Sequence, residues 1–173
     1  QECLVPYARG SLPFVPDIIV AGFDTQDAYW KFVIAGARLD SARRGWRDIA
    51  VIHWGYATIK DDVLAQLAIP LPLESDPRRT FTVTAGLVDA GGHRTDEVYE
   101  LHYLSHEVLF PSYGRGDKMA ELRPTWARPL AESWRGLTFN ICYYWDDFWK
   151  KKLYLGSIRE VRKIREIIDQ RGL

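Results

Sequence analysis

The first third of the chain alternates apolar segments with short polar turns. Residues 17–24 are apolar on both faces, as in a central strand, and residues 28–38 and 48–56 are apolar segments of similar character. Because only short links join these segments, we predict three antiparallel strands that form a meander.

The pattern then changes to alternating helices and strands. Residues 60–67 and 95–104 carry apolar side chains at helical spacing, whereas residues 80–89 and 107–110 have the composition of strands. Strand order of this kind predicts an α/β fold with a ribonuclease-H-like mixed sheet, in which strands 1–3 are antiparallel, strands 4 and 5 are parallel, and helices flank the sheet. The helix at 60–67 would form the crossover that makes the fourth strand parallel to the first.

Prolines mark the segments that we expect to be irregular. Residues 1–16 hold three prolines and predict an irregular lead-in to a single domain at residues 17–173. The prolines within residues 69–72 argue against regular structure, and Asp76 and Pro77 predict a turn.

The C-terminal part has weaker patterns until its last helix. Prolines, arginines and glycines in residues 113–134 predict a long surface loop, residues 137–143 a strand, and residues 146–153 a short helix. The clearest helix covers residues 157–170, where Ser157 is the predicted cap. Four apolar residues form a stripe along it: Ile158, Val161, Ile164 and Ile168.

Composition indicates one globular domain. The chain has 173 residues, of which 47% are hydrophobic and 13% aromatic, which is enough for a sizeable core. No apolar run approaches the ~20 residues of a membrane-spanning helix. Cys3 and Cys142 are too few for a disulfide framework, so we expect a reducing compartment. Gln1 in place of methionine leads us to expect a fragment of a longer protein.

The charges are distributed unevenly although they sum to zero. Residues 1–110 hold 10 basic and 15 acidic residues, whereas residues 111–173 hold 13 basic and 8 acidic residues. A basic half beside an acidic half that binds metal would suit a polyanionic substrate. Ordinary surface charge on a neutral protein is the other interpretation.

Two of the predicted strands end on an aspartate. Asp24 ends the first strand, and Asp89 ends the fourth, where Gly91 and Gly92 allow a sharp turn into the next helix. Two carboxylates at one sheet edge could hold two Mg²⁺ or Mn²⁺ ions, roughly 3.5–4 Å apart, which is the arrangement that cleaves phosphodiesters. Alternatively, Asp24 opens a turn and Asp89 caps the helix.

Other catalytic patterns are missing from the sequence. It contains no G-x-x-x-x-G-K-[ST] loop for nucleoside triphosphates and no recognisable serine or cysteine nucleophile motif. His102 and His106 have the i, i+4 spacing of zinc ligands, but such a pair more often marks a helix end.

Several motifs resemble, in the same order, the nuclease domain of lambda-type phage terminase large subunits. Residues 20–26, V-A-G-F-D-T-Q, resemble the strand T-A-G-[IV]-D-[VS]-Q of that family. Residues 87–99, L-V-D-A-G-G-H-R-T-D-E-V-Y, resemble its segment D-[ST]-G-G-x-x-[TP]-x-x-V-Y, with Ala90 in place of the hydroxyl residue. Residues 108–114 fall where the family has a short strand ending in glycine. Residues 137–154 resemble a strand followed by D-x-x-K-x-x-[IL]-Y.

The resemblance implies a ribonuclease-H-like domain that cuts concatemeric double-stranded DNA during phage genome packaging. It implies two Mg²⁺ or Mn²⁺ ions on the catalytic residues Asp24 and Asp89. The implied partners are double-stranded DNA and, through the full-length protein, the terminase small subunit and the portal, in the host cytoplasm and without a membrane. The ATPase motor that precedes this domain in the family is absent from these residues.

One expected element of the family is missing. Its third acidic ligand comes from a late helix in a run like N-x-A-x-D-x-x-x-Y-A, which this sequence lacks. Asp169 lies on the last predicted helix but in a different context, and Asp147, Asp96 and Glu107 are the candidate substitutes as a metal ligand. The alternative function is therefore a catalytically incomplete ribonuclease-H-like module that docks DNA or an assembly partner.

Basic residues could contact the DNA backbone. Lys150, Lys151 and Lys152 follow the aromatic run at residues 143–149, and lysines of this kind bind phosphate. The aromatic residues more often pack beneath a loop, because the bases of duplex DNA are stacked. Arg94 is either a DNA-binding residue near the metals or a salt-bridge partner.

Overall fold

The computed structural model describes residues 7–40, 45–115 and 128–145. Within these ranges the chain forms a seven-stranded mixed sheet, a two-stranded antiparallel sheet and two helices. The predicted α/β class and the mixed sheet are confirmed. No helix in the described part of the chain is long and apolar enough to cross a membrane.

The first three strands form the predicted antiparallel meander. They are β1 (Ile18–Thr25), β2 (Trp30–Asp40) and β3 (Gly45–Ala57). Burial alternates along β1, because Ile19, Ala21 and Phe23 enter the core while the residues between them face the other side.

The middle of the chain contains both predicted helices and one sheet that was not predicted. Its elements are α1 (Lys60–Ala68), β4 (Leu71–Leu73), β5 (Asp76–Phe81), β6 (Ala85–Asp89), α2 (Thr95–Leu104) and β7 (Leu109–Arg115). The prediction of irregular structure at residues 69–72 is wrong in part, since β4 pairs with β5. A proline is tolerated there because Pro72 contributes only its carbonyl, which accepts a hydrogen bond from the Leu12 N–H at 2.8 Å.

The predicted fourth strand is also shorter than expected. Thr80 and Phe81 belong to β5, residues 82–84 are outside any strand, and β6 begins only at Ala85. The crossover through α1 nevertheless brings β6 parallel to β1, as predicted, and β7 lies parallel to β6.

Two further strands extend the sheet beyond β7. They are β8 (Arg128–Trp134) and β9 (Leu137–Trp145), and the observed order is β3-β2-β1-β6-β7-β9-β8. The strand predicted at residues 137–143 is confirmed as β9, whereas β8 was not predicted, so the sheet order differs from the prediction. The surface loop predicted at residues 113–134 is wrong where β7 and β8 occupy it. The helices predicted at residues 146–153 and 157–170 lie outside the described residues, as do Asp147, Lys150, Lys151, Lys152 and Asp169.

Both helices pack on one face of the sheet. Val63 of α1 and Val98 and Leu101 of α2 are fully buried in one cluster with the core residues of β1, β2 and β6. Leu12 is also fully buried and bridges to Leu73, so the described part of the predicted lead-in belongs to the packed domain.

The opposite side of the sheet, which we call the open face, is apolar as well. Strand registers place the side chains of Val33, Val51 and Leu87 on it, and all three are at least 40% exposed. Ile49 lies on the same face and is 63% exposed.

Candidate functional site

The parallel pairing of β1 and β6 brings the two predicted carboxylates to neighbouring positions. Phe23 pairs with Val88, and Asp24 and Asp89 are the next residues of their strands. Neighbouring strands lie about 4.8 Å apart, and consecutive side chains project to opposite faces. Because Phe23 and Val88 enter the core, Asp24 and Asp89 both project from the open face at the carboxyl ends of their strands.

Asp89 is fixed by the backbone around it. The Gly91 N–H donates a hydrogen bond to its Oδ1 at 3.1 Å, and the Thr25 hydroxyl donates to its carbonyl oxygen. The Ala90 N–H donates to the Ser112 carbonyl at 2.9 Å and so continues the ladder with β7. Asp89 is not the cap of α2, because that helix begins at Thr95.

Asp24 is an exposed carboxylate at the end of β1. The Gln26 side-chain amide donates to its Oδ2 at 2.8 Å. The connection to β2 is closed by a hydrogen bond from the Gln26 N–H to the Tyr29 carbonyl at 2.9 Å. Asp24 therefore lies within β1. The turn that the alternative interpretation expected Asp24 to open begins after Thr25.

The loop between β6 and α2 is held close to the Asp89 carboxylate. The Thr95 hydroxyl lies 2.9 Å from the carbonyl oxygens of both Ala90 and Gly92. A Cβ atom at Gly91 would lie 3.2 Å from Asp89 Oδ1, whereas one at Gly92 would have no neighbour within 4 Å. Of the two glycines, only Gly91 is therefore at a position where an added Cβ would crowd the carboxylate.

Arg94 has the salt bridge that was one of its two predicted roles. Its Nε and Nη2 donate to the two carboxylate oxygens of Glu97, each at 2.8 Å, and its guanidinium carbon lies 3.5 Å from the centre of the Trp30 ring. The hydrogen bonds from Arg94 lower the pKa of Glu97. Arg94 Nη1 is buried and has no hydrogen-bond partner among the described residues. Its contact with phosphate stays a prediction.

Of the two substitute ligands in the described ranges, Asp96 contacts other side chains and Glu107 lies at the opposite end of the parallel strands. Asp96 Oδ1 accepts a hydrogen bond from the Trp134 indole at 3.0 Å, and its Oδ2 lies 3.7 Å from Arg135. Glu107 precedes β7 and therefore lies at the amino end of a strand parallel to β6, away from Asp89. Across residues 7–40, 45–115 and 128–145, no three His, Cys, Asp or Glu residues are grouped so that they could hold a metal ion.

The histidine pair has the structure of a helix end. His102 is buried, its Nδ1 lies 2.6 Å from the Leu109 carbonyl oxygen, and its ring packs against Phe110 and Phe139. His106 follows the end of α2 in a left-handed conformation with a φ of 51° and is exposed.

The strand register places two further residues, Ser112 and Cys142, in the same row across the sheet as Asp89. Asp89 pairs with Ser112 of β7, and Ser112 pairs with Cys142 of β9. Ser112 is buried and its hydroxyl donates to the Val88 carbonyl at 3.2 Å, and burial raises the pKa of the Cys142 thiol. Sequence reasoning missed both residues, because only the register between distant strands aligns them with Asp89.

Comparisons of the chain with family models, with curated proteins and with solved structures found no match.

Proposed function

We propose that this chain is a metal-dependent endonuclease domain that cuts double-stranded DNA. The observation that carries the proposal is the parallel register of β1 and β6, which sets Asp24 and Asp89 side by side at the carboxyl ends of neighbouring strands. Chemistry in open α/β sheets is concentrated at this edge, outside the carboxyl ends of parallel strands.

The donor set at this edge suits hard divalent cations. Asp24 and Asp89 offer carboxylate oxygens, which Mg²⁺ and Mn²⁺ prefer as ligands. Gln26 binds one oxygen of Asp24 and Gly91 binds one oxygen of Asp89, so these hydrogen bonds orient both carboxylates. When bound, a pair of such ions stabilises charge on the attacking and leaving oxygens of a phosphodiester.

The strand arrangement supports a ribonuclease-H-like fold for this activity. Five neighbouring strands have the order β3-β2-β1-β6-β7, with the first three antiparallel and the next two parallel. Strands β9 and β8 are additions to that order. The sequence motifs around Asp24 and Asp89 support the narrower proposal of a terminase nuclease domain that acts in phage genome packaging.

A nicking assay with the 173-residue chain tests the proposal. We expect Mn²⁺-dependent nicking of supercoiled plasmid DNA that Asp24→Asn and Asp89→Asn each abolish. The melting temperature should stay unchanged or rise, because removal of one of two neighbouring carboxylates relieves their repulsion. Asp61→Asn, at an exposed position in the first turn of α1, is the control and should nick normally. Full nicking by folded Asp24→Asn would reject the proposal.

A second candidate is a catalytically incomplete module that docks DNA. It is favoured by the finding that, among the described residues, Asp24 and Asp89 have no third ligand grouped with them. This function predicts no Mn²⁺ binding at millimolar concentration and a salt-dependent affinity for DNA. Changing Lys150, Lys151 and Lys152 to alanine should remove that affinity, and an unchanged affinity would exclude these lysines from the contact.

A further inference from the structure

The open face carries more apolar surface than the uncovered side of a sheet usually has. An antiparallel meander with one solvated face alternates apolar with polar residues. Here the side that faces away from α1 and α2 instead carries Val33, Val51 and Leu87, which are 41%, 44% and 40% exposed. A contiguous apolar surface of this kind marks a site where another layer packs.

The described helices do not cover this face. Buried residues of α1 and α2 belong to the cluster on the other side of the sheet, together with Phe23 and Val88. Asp24 and Asp89 lie at one end of the open face, so whatever covers the apolar part also borders the two carboxylates.

The chain itself contains a segment whose pattern matches this surface. Residues 157–170 place four apolar residues along one side of the predicted helix, and the basic and acidic residues fall mostly on the other side. Such a helix is stable only when its apolar side packs against another element. We propose that residues 157–170 dock on the open face through the stripe formed by Ile158, Val161, Ile164 and Ile168.

The chain is long enough for this arrangement. β9 ends at Trp145 and is separated from β1 by β7 and β6, so the two strands lie about 14 Å apart. Residues 146–156 could span up to about 36 Å if extended. A helix of the length of residues 157–170 measures about 21 Å, which covers roughly four strands. Val33 of β2 is therefore within reach of the stripe.

Thiol labelling of the whole 173-residue chain tests the docking. In a background of Cys3→Ser and Cys142→Ser, Val33→Cys introduces a thiol on the open face. Leu104→Cys introduces one on α2, at a position whose 47% exposure matches the 41% of Val33. We expect the thiol at position 33 to react with a maleimide at least tenfold more slowly than the thiol at position 104.

Charged residues in the stripe should remove that protection. Val161→Asp with Ile164→Asp should raise the labelling rate at position 33 at least tenfold and leave the rate at position 104 unchanged. Arg159→Asp with Lys163→Asp, on the opposite side of the predicted helix, should change neither rate. Circular dichroism must show that each variant keeps its secondary structure.

Three labelling results would overturn the proposal. They are equal rates at positions 33 and 104 in the chain with an intact stripe, protection that survives the stripe substitutions, and protection that depends on protein concentration. The last result would assign the face to a second copy of the chain.

A crosslinking measurement decides the question if the stripe variants unfold. In the same Cys3→Ser and Cys142→Ser background, Val33→Cys is combined in turn with cysteine at positions 158, 161, 164 and 168, and the rest of the stripe is left unchanged. A short bis-maleimide should crosslink at least one combination within a monomer. Failure of all four combinations would overturn the proposal independently of nuclease activity.

Discussion

At the residue scale, the Asp89 carboxylate is packed against backbone that a side chain would disturb. Gly91 donates its N–H to Oδ1, and a Cβ at this position would approach the same oxygen to 3.2 Å. Contacts this close force one of the two groups to move by a few tenths of an ångström. Gly92, the next residue, has no such contact.

The two glycines therefore give a matched pair of variants. We expect Gly91→Ala to displace the carboxylate and to lower Mn²⁺-dependent nicking by roughly tenfold or more, since catalysis is sensitive to sub-ångström misplacement of ligands. Gly92→Ala should keep the rate of the unsubstituted chain. Isothermal titration with Mn²⁺ should show weaker binding for Gly91→Ala alone. Equal rates for both variants would show that the Asp89 position is not critical.

The positions of these aspartates could be predicted from the sequence, because each ends an apolar run that has to be buried. Their neighbours could not. Ser112 and Cys142 reach the same row through parallel pairing of strands that are far apart in the chain. Nothing in the local pattern of either residue specifies that register.

At the element scale, the hairpin formed by β8 and β9 depends on two left-handed residues. Arg135 has a φ of 49° and Gly136 a φ of 79°, and they form the two-residue connection between Trp134 and Leu137. Positive φ at both positions is characteristic of the type I′ turn, whose twist matches that of the flanking strands.

Gly136→Ala should weaken this hairpin. A Cβ in the left-handed region costs about 1 kcal/mol, and no packing is gained because a Cβ at Gly136 would have no neighbour within 4 Å. Arg135→Asn should change the free energy of unfolding much less, since asparagine tolerates this conformation. Urea denaturation of the two variants measures the difference. A Gly136→Ala variant as stable as its parent would contradict the turn geometry.

The elements that could be predicted are those with a strong local period. The meander, α1 and α2 have such a period, whereas β4 contains Pro72 and β8 contains Pro129. Proline lacks a backbone donor and normally argues against a strand, but β8 is the edge strand of its sheet and does not need every N–H. Pairing with β9 decides its structure, and pairing is a long-range property.

At the scale of the whole molecule, the helix layer is joined to the sheet by a polar contact as well as by the core. Arg94 precedes α2, stacks on Trp30 of β2 and binds Glu97 of the first turn. The side chain of Arg94 is only 15% exposed, so its charge depends on the Glu97 carboxylate for compensation. Global stability should therefore respond to the ionisation of one glutamate.

Glu97→Gln should lower stability at neutral pH by about 1–3 kcal/mol, because a largely buried guanidinium loses its charged acceptor. The pKa of Glu97 is lowered in the folded state, mainly by the hydrogen bonds from Arg94. Its contribution is therefore complete above the ordinary glutamate pKa of about 4.3 and is lost as the pH falls through the lower folded-state pKa. Urea denaturation from neutral pH down to about pH 3 should show the difference between the parent and the variant shrinking towards zero.

Glu100→Gln provides the control for this measurement. Glu100 pairs with Lys60 in a more exposed ion pair, with side chains 46% and 30% exposed, so its loss should cost less than about 1 kcal/mol. The free energy of unfolding could instead differ between the parent and Glu97→Gln by the same amount at every pH. That result would assign the effect of Glu97 to packing. The charge of Arg94 would then be compensated without the Glu97 carboxylate. The polar contact between α2 and β2 would be stabilised by the stacking of Arg94 on Trp30.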